Sequence, residues 1–365
     1  MKKNNSVLFI LVFLVALCIV FVSSVFSSED IVNNSWISKA PMQQPRSGLG
    51  VVAVNNKIYA IGGTNQEGFS AITEEYNVAT NTWTFKSSMP TARSAFGIAV
   101  YQNKIYCIGG YTDGFSATGV TEVYDPATDT WETKSPMSNP RLNMQANVVN
   151  DKIYLIGGNP NGTVTEVYDP ATDTWSNAIS IPVSVESYAS AVVDNKIYVI
   201  TSNLTQIYSV ENDSWSYGTA PLSPVVLASA GATTGMFASE RIYVFGADAD
   251  LPYWQLTLRN FTTQSYNPKT NTWEICASMP TGRFDTGVAV VNDTLYVIGG
   301  YITEFPRDVL TLNPTITYCT VNEQYIPTRY IPEFLSWILM LCVLLVITVI
   351  TVSYKKRLWN SNRSK

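Results

Sequence analysis

Apolar and polar positions alternate with a period of two in short runs such as GVAVV at residues 287–291 and LYVIGG at 295–300, which predicts half-buried strands and not helices. The runs are joined by pairs such as Asn55-Asn56, Asn150-Asp151 and Asn292-Asp293. Asn and Asp tolerate positive φ, so these pairs read as two-residue hairpin turns. Two stretches break the pattern: residues 7–22 and 334–352 are apolar throughout.

A longer regularity overlies the short one. The phrase TEVYDPATDTW fills residues 121–131 and returns unchanged at 165–175, 44 positions on, and such recurrence marks a repeat architecture. A second phrase recurs six times: NKIYAIGG, NKIYCIGG, DKIYLIGG and DTLYVIGG end at Gly63, Gly110, Gly158 and Gly300, and the worn copies NKIYVITS and ERIYVFGA end at Ser202 and Ala247. A Tyr followed by a Trp seven positions later comes after the first five, as Tyr76/Trp83, Tyr124/Trp131, Tyr168/Trp175, Tyr208/Trp215 and Tyr266/Trp273. In the last copy Leu312-Asn313-Pro314 takes the place of Tyr-Asp-Pro, and Cys319 stands where Trp is expected. The missing Trp is supplied from the other end by Trp36, 21 residues before Lys57, the offset that Trp83 keeps from Lys104 and Trp131 from Lys152.

Each unit thus reads as four antiparallel strands: a before the Asn/Asp turn, b ending in Gly-Gly, c carrying Tyr, d beginning at Trp. A single sheet of this size leaves both faces bare, so units must stack, and radial closure protects the edges. The expected architecture is all-β, a six-bladed propeller of four-stranded antiparallel blades over residues 31–318, closed by an N-terminal strand d. The double Gly, Tyr and Trp resemble the kelch repeat, matched in full by the first three units and in part by the others. The resemblance implies the propeller fold. For function it implies several classes: protein-binding modules, actin-associated modules, and sugar-active enzymes such as galactose oxidase and sialic acid mutarotases.

The ends add a membrane. Residues 1–28 have the basic start, apolar run and small-residue finish of a signal peptide or N-terminal membrane segment. Residues 334–352 carry no charge over 19 positions, about 28 Å as a helix, enough to span the hydrocarbon core. The basic tail at 353–365, beginning with Lys355, Lys356 and Arg357, places that end in the cytoplasm and the propeller outside it. Residues 319–333 are expected to be a Pro-containing linker, and Pro332-Glu333-Phe334 with the span and basic tail is similar to C-terminal anchors of archaeal surface proteins.

Composition then narrows the chemistry. There is no His, which excludes Ser-His-Asp triads, Cys-His pairs, HExxH zinc sites and the copper site of galactose oxidase. No catalytic constellation and no cofactor or metal site is evident. Asp248 and Asp250 lack the Gly and distal Glu of a calcium loop. Outside the tails, 16 basic residues face 28 acidic ones, a net −12, which argues against nucleic acid as partner. Cys107, Cys276 and Cys319 are an odd set without metal spacing, more consistent with small buried residues than with a disulfide framework. Candidate glycosylation sequons begin at Asn33, Asn161, Asn203, Asn212, Asn260 and Asn292.

Strand direction alternates within a blade, so b-to-c loops and d-to-a crossings share one face. From the second Gly position to the next Tyr position the gaps are 13, 14, 10, 6, 19 and 12, whereas turns on the other face barely vary. Variation on one face of a rigid scaffold points to function there. Arg46, Arg93, Arg141 and Arg283 each lie 11 residues before the first strand b position, with Val185 and Ala230 at that offset in the remaining units. They are candidates for a basic ring at the channel mouth binding an anionic peptide or glycan, against the structural alternative that each ties one blade to the next. Phe69, Phe115, Tyr253 and Trp254 are candidate contacts on the same loops, against the alternative that they pin those loops. The expected function is a cell-surface binding or adhesion module for a protein or glycan; the competing classes are a His-free sugar-active enzyme using Arg and a carboxylate at the channel mouth, and a structural unit of a surface coat.

Overall fold

The structure, a computed structural model, describes residues 34–114, 116–248, 261–304 and 315–328, together with Thr348, Thr351 and Val352. Residues Asn34–Pro327 form one compact unit built from six four-stranded antiparallel sheets. Blade 1 runs through Gly50–Val54, Lys57–Ile61, Thr73–Asn77 and Thr82–Lys86, and blades 2 to 5 repeat the a-b-c-d order. The innermost strands a touch one another in chain order and close the ring, with the strand at Gly287–Val291 against that at Gly50–Val54.

Strand b explains the nearly continuous apolar phrase KIYAI. Successive side chains leave opposite faces of a strand, and in a propeller both faces meet a neighbouring blade. Ile58 and Ala60 pack into the cluster shared with blade 6, and Tyr59 and Ile61 into the one shared with blade 2. Among the described residues six large apolar clusters result, one at each blade junction, with a small seventh around Phe284 between blades 5 and 6. Five of the a-to-b turns place two consecutive residues at positive φ, as in Asn55-Asn56 at 51° and 60°, the twist that two-residue hairpins require.

Blade 6 closes as the repeat spacing predicts at one end and differs at the other. Its strand d is the N-terminal Ser35–Lys39, but its strand c is Asn322–Ile326, which pairs with Ser35–Lys39 on one side and with strand b on the other. Tyr325 faces Trp36 across that ladder. Leu312-Asn313-Pro314 is therefore not the Tyr-Asp-Pro equivalent, Cys319 does not replace Trp, and the expected linker at 319–333 begins inside the propeller. The b-to-c segment of blade 6 grows to 25 positions from Gly300 to Tyr325; it contains a hairpin of Tyr301–Glu304 against Thr315–Tyr318.

No helix among the described residues is long and apolar enough to cross a membrane. The apolar segments at 7–22 and 334–352 lie outside the described residues, apart from Thr348, Thr351 and Val352.

Candidate functional site

The invariant face is held by one device used six times. The Asn or Asp of each c-to-d turn sits at positive φ, as Asp129 does at 55°. Its side chain accepts the Tyr hydroxyl of its own strand c and a backbone N–H from the preceding blade: Asp129 takes Tyr124 at 2.6 Å and Ser87 N at 2.8 Å. The Trp then donates Nε1–H to the carbonyl of that same preceding residue, Trp131 to Ser87 at 2.8 Å. Asn81 and Trp83 hold Ala40 in the same way, and Asn34 and Trp36 hold Ala277 across the chain ends. Donation from Tyr124 leads the causes that hold the Asp129 carboxyl below its ordinary value. Most of TEVYDPATDTW is thereby accounted for as junction chemistry, which explains why the Tyr-to-Trp spacing is seven in each of the first five blades.

The four Arg belong to the scaffold as well. Arg46, Arg93, Arg141 and Arg283 are at most 1% exposed, so they form no basic ring at the channel mouth. Each is met by a strand c carboxylate: Arg46 by Glu74 at 2.8 Å, Arg141 by Glu166 at 2.7 Å, Arg283 by Glu323 at 2.9 Å, and Arg93 by Glu122. Further guanidinium N–H groups donate to backbone carbonyls at the end of strand b and, in blades 1, 3 and 6, just before strand c, as Arg46 does to Gly62 and Ile72, both 2.8 Å. Burial draws the Arg46, Arg141 and Arg283 guanidiniums below their ordinary value, and the Glu partner offsets this. The carbonyl of Arg93 accepts from Gly63 N of blade 1, and that of Arg46 from Gly300 N of blade 6, so the residue also joins neighbouring blades. A side chain at Gly62 would stand 2.7 Å from the Arg93 carbonyl, and the backbone there is at φ +62°, which is why glycine occupies it.

Sequence reasoning missed the Glu partners. The signal was the Glu two positions before the strand c Tyr in each Arg-bearing blade, and Glu323-Gln324-Tyr325 would also have located strand c of blade 6. In blades 4 and 5 the same position holds Gln206 and Gln264, where the Arg is absent. There the amide bonds the backbone of the crossing segment, Gln206 to Val183 N at 2.9 Å and to Val183 O at 3.1 Å.

On the variable face the six crossings end in a ring at the mouth of the central channel. Gly48, Ala95, Asn143, Ser187, Leu227 and Asp285 hold equivalent places, all with φ between 46° and 58°. Five links of a backbone ring join them: Ala95 N to Gly48 O at 2.9 Å, Asn143 N to Ala95 O at 2.8 Å, Ser187 N to Asn143 O at 3.0 Å, Gly48 N to Asp285 O at 3.1 Å, Asp285 N to Leu227 O at 3.4 Å. All six line a cavity of about 100 Å³. Desolvation pushes the Asp285 carboxyl up to about 6.

Of the aromatic candidates, Phe69 is half-buried and meets Tyr111 of the next blade edge-on, with ring centroids 5.2 Å apart, so it pins two loops together. Phe115, Tyr253, Trp254, Asp250, Asn33 and Asn260 lie outside the described residues. Asn161, Asn203, Asn212 and Asn292 are exposed. Cys107, Cys276 and Cys319 are free thiols, and burial pushes Cys107 up to about 12.

Six blades that share the Tyr and Trp arrangement, four of them with both glycines, define a kelch-type propeller domain. The Attractin/LZTR1 beta-propeller family matches residues 105–308, more than half of the chain, and the KLHDC2/KLHL20/DRC7 Kelch-repeats domain matches residues 24–158. The chain belongs to the Attractin/LZTR1 β-propeller family, within the kelch-repeat propellers. It is 42% identical over 55 residues to Kelch-like protein 15 of Homo sapiens, covering 14% of this chain and 9% of that protein. It is 33% identical over 103 residues to Kelch-like protein terF of Aspergillus terreus, covering 27% and 21%. It is 31% identical over 102 residues to Kelch repeat and BTB domain-containing protein 12 of Homo sapiens, covering 27% and 16%. The chain thus spans about a tenth to a fifth of the length of these relatives. Propeller domains of this kind generally mediate protein–protein binding.

Proposed function

We propose that the chain is a membrane-anchored, extracytoplasmic binding module whose partner docks on the face formed by the b-to-c loops and d-to-a crossings. The observation that carries this is the concentration of variation: from the second Gly position to the strand c Tyr, the segments range from 6 positions in blade 4 to 25 in blade 6, while Tyr to Trp is seven in each of the first five blades. A protein partner is favoured over a glycan because Phe69, a candidate sugar platform, has its ring engaged by Tyr111. The extracytoplasmic placement rests on the sequence at the two ends. The sugar-active alternative needs an accessible Arg beside a carboxylate, and each of the four Arg is closed in with its Glu.

The test is site-specific photo-crosslinking in cells. A benzophenone amino acid at Glu67, on the variable face, is expected to capture a partner, and one at Lys104, beside an a-to-b turn, is not. Equal capture from both faces would overturn the reading. Labelling of Ser364→Cys only after membrane permeabilisation is the expected outcome for the tail.

A further inference from the structure

The channel mouth carries polar groups that the scaffold does not use. Asn143, Ser187 and Asp285 occupy the same ring position in blades 3, 4 and 6, and their backbone N–H groups are committed to the ring. All three residues line the cavity, and among the described residues no hydrogen bond or ion pair engages their side chains. Asn143 stands three blades from Asp285, across the channel. Gly48, the neighbour of Asp285 in the ring, makes room: a Cβ there would stand 3.0 Å from Asp285 Oδ2. The carboxylate therefore lies over the space a side chain would fill.

Among the described residues, the exposed charge around the mouth has one sign. In the described loops and crossings of this face, Glu67, Asp113 and Glu186 are exposed, Asp285 lines the channel, and every Arg is buried against Glu. Among the described residues Tyr188 is the only other ionisable group lining the cavity, and its hydroxyl donates to the Ile156 carbonyl. A desolvated carboxylate without a counter-charge gains most from a ligand that brings one.

Resting on the reading of this face as protein-binding, we propose that the channel mouth receives the ammonium group of a lysine side chain from the partner, with Asp285 as counter-charge and Asn143 and Ser187 as neutral acceptors. An ammonium offers three N–H donors on a compact head, which matches three acceptors around one axis, and its slim stem suits a cavity of about 100 Å³. The planar guanidinium is the poorer fit. Protonation of Asp285 removes the counter-charge, so binding weakens as pH falls through 6.

The full chain, purified in detergent, is titrated with Nα-acetyl-lysine methylamide at pH 7.5, with the norleucine analogue as the uncharged control. Saturable binding is expected to the wild type, at least tenfold weaker in Asp285→Asn and in the wild type at pH 5, several-fold weaker in Asn143→Ala, with no binding of norleucine. Binding that survives Asp285→Asn unchanged, or norleucine binding as well as lysine, overturns the proposal; the pH arm on the wild type guards against a variant that fails to fold. Capture by the benzophenone at Glu67 separates the two readings. A partner captured equally well by wild type and Asp285→Asn sinks the lysine site and leaves the binding face standing. Amine binding with no partner captured overturns the binding face, and with it the lysine as the source of the amine.

Discussion

Blades 1, 2, 3 and 6 fasten the crossing to strands b and c with a buried ion pair, and blades 4 and 5 do so with a neutral amide. The difference extends to the loops. Isolated bridges tie the crossing to the b-to-c segment at Ser47↔Thr64, Ser94↔Tyr111, Leu142↔Asn159 and Phe284↔Tyr301, all in the Arg blades. The same four blades keep both glycines, whereas blade 4 has Thr201-Ser202 and blade 5 has Gly246-Ala247. Arg, Glu and Gly-Gly therefore go together: in blades 1, 3 and 6 the guanidinium donates to the carbonyl of the first glycine, and in all four the carboxylate is tolerable only beneath the guanidinium. Where the Arg is absent, Gln in place of Glu avoids leaving an unpaired charge in the interior.

The largest expected effect comes from separating the unit. Arg141→Val leaves Glu166 charged and buried, which costs about 3–5 kcal/mol, whereas Arg141→Val with Glu166→Gln reproduces the Val185/Gln206 arrangement of blade 4 and recovers most of the loss. Thermal unfolding of the single and double variants measures this, and equal destabilisation by both would break the comparison. Next comes the glycine. Gly300→Ala puts a Cβ 2.5 Å from the Phe284 carbonyl at φ +93° and is expected to cost about 1–3 kcal/mol, while the same residue type already stands at Ala247 in blade 5.

A smaller effect depends on pH. The Asp285 carboxyl is raised to about 6 by desolvation, so the folded protein holds its proton more tightly than the unfolded chain. The cost is absent below about pH 3, where both states are protonated, and is fully present above pH 6. Asp285→Asn should thus stabilise by about 1–2 kcal/mol at pH 7.5 and leave stability unchanged at about pH 3, read from denaturation midpoints at both pH values. The smallest effect is expected at the junctions. Asp129→Asn copies Asn81 and should change stability at pH 7 by less than about 0.5 kcal/mol. Because the Asp129 carboxyl is held below its ordinary value, its contribution is present above the unfolded-state value and fades on acidification. The variant should lose less stability than the wild type between pH 5 and pH 3.

Blade number, strand order and N-terminal closure were legible in the sequence because they depend on local, repeated spacing. The end of blade 6 was not, because a weak Leu-Asn-Pro match sits before the true strand and Tyr325 has no Trp seven positions after it; its Trp lies 289 positions earlier. The recurrence of Arg46, Arg93, Arg141 and Arg283 was visible, but whether a repeated cation faces water or a carboxylate depends on a partner 25 to 40 positions away. The channel-mouth residues were invisible to pattern reading for the opposite reason: Gly48, Ala95, Asn143, Ser187, Leu227 and Asp285 share a backbone conformation and no side-chain chemistry.

The clamp of Asn34 and Trp36 on Ala277 has the same partners and nearly the same lengths as the five clamps formed within the continuous chain. By its bonding, then, the ring has no first blade. Severing the peptide at another c-to-d turn and joining Pro327 to Asn34 through a short linker should return the same closed assembly, with the start of the polypeptide moved to a different junction.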